Sequence, residues 1–94
     1  MLDLVGFKQE ISMFIRLEKI NLAERQKRFY VMNVAQTLFG EWCLIREWGR
    51  IGSAGGQRMV DYAETKEEAE AALDRLSAQR CRRGYHEREM HYAT

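Results

Sequence analysis

Apolar and polar positions alternate through Met13-Phe14-Ile15-Arg16-Leu17-Glu18. Met13, Ile15 and Leu17 fall on one side, Arg16 and Glu18 on the other, so a strand is predicted from Ser12 to about Ile20. Asn21 to Gln26 is polar and connects. A second strand, rich in aromatic and β-branched residues (Phe29, Tyr30, Val31, Val34), is predicted from Lys27 to about Gln36. Gly40 ends a turn that begins at Thr37. Leu38 and Phe39 are apolar for a turn and are expected to fold back onto the sheet. A third strand runs from Glu41 to about Arg50. Its two-residue period puts Trp42, Leu44, Arg46, Trp48 and Arg50 on one face and Cys43, Ile45 and Glu47 on the other. A bulge at Gly49 would break the row Arg46, Trp48, Arg50. The fourth strand, Gln57 to Ala63, follows a glycine-rich hairpin loop.

The period then changes. Thr65-Lys66-Glu67-Glu68 forms a capping box, and Ala69, Ala72, Leu73 and Leu76 follow at helical spacing. Acidic residues in the first turns and Arg80, Arg82 and Arg83 at the end complement the helix dipole, so this arginine cluster requires no partner. Gly84 is the natural C-cap. The tail from Tyr85 either adds a short edge strand or lies over the sheet. Residues 1–11 show no sustained period and read as an N-terminal arm; residues 12–94 read as one domain. Short connections predict an α+β fold, a small antiparallel sheet of four to five strands with one α-helix packed on one face.

The chain has 94 residues, 46% hydrophobic and 31% charged, with a net charge of +1. That supports one modest core and no global basic field. Between Arg25 and Arg58, six cations face only Glu41 and Glu47, a local charge of +4. No run is long and apolar enough to span a membrane, and the N-terminus lacks a secretory pattern. The expectation is a cytoplasmic protein in which Cys43 and Cys81 are free thiols. No nucleophile–base pair stands out, and His86 and His91 are wrongly spaced for zinc on a helix face. Neither metal nor cofactor is expected, and catalysis is not.

Recognition chemistry concentrates in Glu47-Trp48-Gly49-Arg50-Ile51-Gly52 and its continuation Ser53-Ala54-Gly55-Gly56-Gln57. Gly52 to Gly56 is either a plain hairpin turn or a backbone cradle for phosphate. Trp48 is either a core anchor or an open face for stacking. The stretch resembles the signature of the WGR domain, a family named for this tripeptide. The family occurs beside the catalytic domain of DNA-dependent poly(ADP-ribose) polymerases and as small free-standing bacterial proteins. The resemblance extends from about Met13 to Arg88. It includes Lys27-Arg28-Phe29-Tyr30-Val31-Met32-Asn33, the Gly49-Arg50-Ile51-Gly52…Gln57 pattern, and Tyr85-His86-Glu87-Arg88, which is similar to the family's Trp-x-x-Arg. Lys27 stands where the family carries Asn, and Glu47 precedes the Trp.

The resemblance implies the same α+β layout and a non-enzymatic module that binds DNA at ends or at nicked or gapped duplex. Trp48 would pack on the sugar of a terminal nucleotide, and Arg50 would be a contact or bridging residue. Lys27 and Arg28 would hold phosphate, with Arg46 beside them on the Trp48 face. Gly49 and Gly52 would shape the motif, and Tyr85 and Arg88 would support it. The alternative is a protein-interaction module in which the same Trp/Arg surface docks a partner or a second copy.

Overall fold

The computed structural model describes residues 7–92, with side chains from residue 11. Five strands and one helix follow in the order β1 (Phe7–Asn21), β2 (Gln26–Thr37), β3 (Trp42–Arg50), β4 (Gln57–Ala63), α1 (Lys66–Arg82) and β5 (His86–Tyr92). The sheet order is β4-β3-β2-β1-β5, and every adjacent pair is antiparallel. Strands β1 to β4 form a meander of hairpins. The chain then leaves one edge through α1 and returns at the other as β5. A helix of 17 residues is about 25 Å long, enough to cross five strands spaced about 4.8 Å apart.

Alternation along the strands builds the core. Met13, Ile15 and Leu17 of β1, Tyr30, Met32 and Val34 of β2 and Leu44 of β3 are buried with Ala69 and Leu73 of α1. On the reverse face Ala35, Cys43 and Ile45 form a smaller buried cluster with Val60 packed against it. The faces of β3 therefore divide as its two-residue period requires.

The helix ends follow their caps. The Thr65 hydroxyl accepts the Glu68 amide at 3.1 Å. Gly84, just beyond the C-cap Arg83, adopts φ +97. Its N–H donates to the Cys81 carbonyl at 3.1 Å, and the Tyr85 N–H donates to Arg80. This reversal drives Tyr85 under the helix end, where it is buried.

Two expectations change. The strand expected from Ser12 begins at Phe7, because register shifts between Phe7 and Met13 hide its period. The arm expected over residues 1–11 thus joins β1 from Phe7, and its residues 1–6 lie outside the described residues. Leu38 and Phe39 do not fold back: Phe39 is 91% exposed. The Thr37 hydroxyl closes that turn by accepting the Phe39 and Glu41 amides at 3.2 and 3.1 Å. Of the two readings of the tail, the edge strand is the one formed: it becomes β5, paired with β1.

Candidate nucleic-acid interface

Strand β3 carries Arg46, Trp48 and Arg50 on the helix-bearing face without interruption. Its register with β2 shows no shift: Met32 faces Arg46, Tyr30 faces Trp48, and Arg28 faces Arg50. Gly49 pairs regularly with Phe29, and the reverse face above it is filled. A Cβ there would lie 3.2 Å from the Gly56 Cα and 3.3 Å from the Phe29 ring. Gly56 is tighter still, since its Cβ would sit 2.7 Å from the Trp48 carbonyl oxygen. Gly52 adopts φ +83 with open space around it, in a turn where the Ser53 N–H donates to the Arg50 carbonyl at 3.2 Å.

Trp48 is half-buried and packs against the main core. Its ring stacks on Tyr30, with centroids 5.5 Å apart and planes 13° from parallel. Tyr85 meets Tyr30 edge-on at 6.4 Å. The Arg80 guanidinium lies 4.4 Å from the centre of the Tyr30 ring. The Tyr30 side of an aromatic stack on β2 and β3 is thus clamped by Arg80, near the end of α1, and by Tyr85 beyond it. Such contacts hold an indole in one orientation.

The cations of the row have different fates. Arg46 donates through Nε to Asp61 at 2.9 Å and through Nη1 to the Tyr30 hydroxyl at 3.2 Å. Only 17% of its side chain is exposed. Burial alone would lower its pKa, but Tyr30 and Asp61 outweigh burial and hold it above the usual guanidinium value. Arg46 is therefore a brace under Trp48. Arg28 and Arg50 are exposed, and neither has an ion-pair partner among the described residues.

Arg28, Trp48, Arg50, Gln57 and Tyr85 border one cleft of ≈ 320 Å³ at this end of the sheet. Lys27 does not join it, because alternation along β2 turns it to the reverse face, where Phe29 also points. There Glu47 and Arg58 approach to 3.8 Å, beside a second hollow of ≈ 400 Å³ lined also by Phe29 and the 53–56 loop. The acid next to Trp48 in sequence is thus on the opposite side of the sheet from the cleft. Arg88 pairs with Glu18 at 3.2 Å, outside the cleft.

Tyr30 and Arg80 were not singled out from the sequence as site residues. Alternation along β2 could have placed Tyr30 with Arg28. Nothing local in the helix marks Arg80, whose position depends on where α1 crosses the sheet. Among the described residues no group of three His, Cys, Asp or Glu could hold a metal ion, and no helix is long and apolar enough to cross a membrane.

The chain is 38% identical over 72 residues to the uncharacterized protein y4dW of Sinorhizobium fredii (strain NBRC 101917 / NGR234), covering 77% of this chain and 35% of that relative. It therefore spans about a third of the relative's length. No solved structure gives a significant match. The family model of the WGR domain matches residues 13–91, from the first core residue of β1 to the penultimate residue of β5, and the chain belongs to the WGR domain family.

Proposed function

We propose that this chain is a non-catalytic module that recognises DNA ends or nicked or gapped duplex through the edge made by Trp48, Arg28 and Arg50. WGR domains are known as nucleic-acid-binding modules. One observation carries the finer reading: an indole stacked on Tyr30 and two arginines with no ion-pair partner among the described residues border the same cleft. An indole held this way offers a surface to a terminal sugar, and guanidinium groups fork onto phosphate. Arg46 serves by holding Tyr30 and Trp48 in place. Lys27, on the reverse face, adds to the attraction of a polyanion without entering the cleft. Each phosphate neutralised contributes about −0.9 to the slope of log affinity against log salt on duplex DNA, so two or three contacts make binding clearly salt-dependent.

Fluorescence anisotropy on three labelled ligands tests the reading. These are a duplex with a 5′-phosphorylated end, the same duplex with both ends closed by hairpins, and a single strand. Preferential, salt-sensitive binding to the open phosphorylated end is expected. Equal weak binding to all three, lost at near-physiological salt, overturns end recognition. A dimer in light scattering that ignores added DNA would favour docking of a second copy at the Trp/Arg edge instead.

A further inference from the structure

The register of the sheet aligns three cations. Arg50 on β3 pairs directly with Arg28 on β2, and Arg28 pairs directly with Lys19 on β1. The row lies one pleat beyond a parallel row in which Trp48 pairs with Tyr30 and Tyr30 with Leu17. Leu17 belongs to the helix-side core, so Lys19, two residues on, shares that face. Strands about 4.8 Å apart make the cation row about 10 Å long, perpendicular to the strands. Like charges directly opposite one another destabilise an antiparallel pair, and here this happens twice in succession. The other arginines of the sheet lie beside acids: Arg16 and Arg88 at Glu18, Arg46 at Asp61, Arg58 at Glu47. None of the three in the row has an ion-pair partner among the described residues.

Lys19 is also held in position. A Cβ on Gly84 would lie 3.2 Å from the Lys19 Cε and 3.8 Å from its Nζ. The lysine stem therefore passes against the turn that ends α1, where a side chain at position 84 would obstruct it. Strand β5 contributes no residue opposite Lys19, since its pairing with β1 ends at Glu18 and His86.

We propose that Lys19 binds a second phosphate of the nucleic-acid strand whose terminal sugar lies on Trp48. The strand then crosses the sheet from β3 towards β1 along Arg50, Arg28 and Lys19. This rests on the nucleic-acid reading above. A row about 10 Å long, carried on long flexible side chains, can serve more than one phosphate of a single strand. The three like charges then gain their counter-charge from the ligand.

The test uses the 5′-phosphorylated duplex unmodified and with one uncharged methylphosphonate at each of the first three linkages in turn. It compares the wild-type protein, Lys19→Ala and Lys19→Arg. The expected result is that Lys19→Ala lowers the salt slope by about 0.9 and becomes indifferent to one linkage at which the wild type is sensitive. Lys19→Arg should retain that sensitivity, and the melting temperature of Lys19→Ala should not fall. Wild-type affinity, salt slope and linkage pattern in Lys19→Ala overturn the proposal, as does a binding loss that merely follows a lowered melting temperature. If Trp48→Ala weakens binding while Lys19→Ala does not, only this inference fails. If the wild type binds none of the duplexes, the nucleic-acid reading fails and this one with it.

Discussion

Trp48 lies flat on Tyr30, ring centroids 5.5 Å apart and planes 13° from parallel. The motif tryptophan is therefore a structural element and a candidate contact at once. Full truncation of a core aromatic costs about 3–5 kcal/mol. For this half-buried ring the expected cost of Trp48→Ala is about 1–3 kcal/mol, measured by urea unfolding. Trp48→Phe should recover much of that by keeping a ring on Tyr30. If binding to the phosphorylated duplex is lost in Trp48→Ala but kept in Trp48→Phe, any ring suffices. Binding that is unchanged in both removes Trp48 from the interface.

The arginines should separate into two classes. Arg46→Ala removes a partly screened ion pair with Asp61, whose side chain is 46% exposed, and a hydrogen bond to Tyr30. Together these are worth about 1–2 kcal/mol of stability. Because its folded pKa is raised, the Arg46 contribution is fully present below the usual guanidinium value and is lost only above the folded one. The penalty should therefore be the same at neutral and mildly alkaline pH. Arg28→Ala and Arg50→Ala should leave stability unchanged or slightly higher, since each relieves a like-charge pair. Each should lower the salt slope of binding by about 0.9. A stability loss on Arg50→Ala matching that of Arg46→Ala would contradict this division.

Glycine at 56 answers a close approach of two backbones. Gly56→Ala places a methyl 2.7 Å from the Trp48 carbonyl oxygen, and backbone has little freedom to yield. A destabilisation of about 1–3 kcal/mol is expected, as for overpacking. Gly52 meets nothing within 4 Å but adopts φ +83, so Gly52→Ala should cost only the backbone strain, about 1 kcal/mol. Thermal melts of the two variants check the order.

The two thiols should differ in reactivity. Cys43 is buried, and its Sγ donates to the Ala35 carbonyl at 3.4 Å. Burial pushes its pKa up, aided by Glu41 and opposed by Arg58. Cys81 is exposed on α1. An aromatic disulfide reagent at mildly alkaline pH should label Cys81 rapidly and Cys43 only as the protein unfolds. Since the folded thiol of Cys43 is the weaker acid, its linkage costs stability as pH rises above the usual thiol value. Stability of Cys43→Ala, whatever its absolute value, should fall less over that interval.

Much of this architecture is legible in local patterns. The alternation of Met13, Ile15 and Leu17 marks β1, and that of Trp42, Leu44, Arg46, Trp48 and Arg50 marks the faces of β3. Thr65 and Glu68 mark the start of α1, and Gly84 marks its end. Each of these depends on residues within a turn or a few pleats of one another. Where the local pattern is interrupted the reading fails, as at the register shifts between Phe7 and Met13.

The candidate interface divides along the same line. Trp48, Gly49 and Arg50 announce themselves as a contiguous motif, and alternation alone places Arg46 beside them. What no local pattern contains is the register between strands and the path of the helix. These bring Arg28 opposite Arg50 and Lys19 opposite Arg28, slide Tyr30 under Trp48, turn Arg46 inward to Asp61, and set Arg80 over Tyr30. Long-range pairing is chosen by burying the whole apolar face of the sheet against α1, a condition on the entire chain. The identity of the residues was written locally, and their juxtaposition was decided by the core they share.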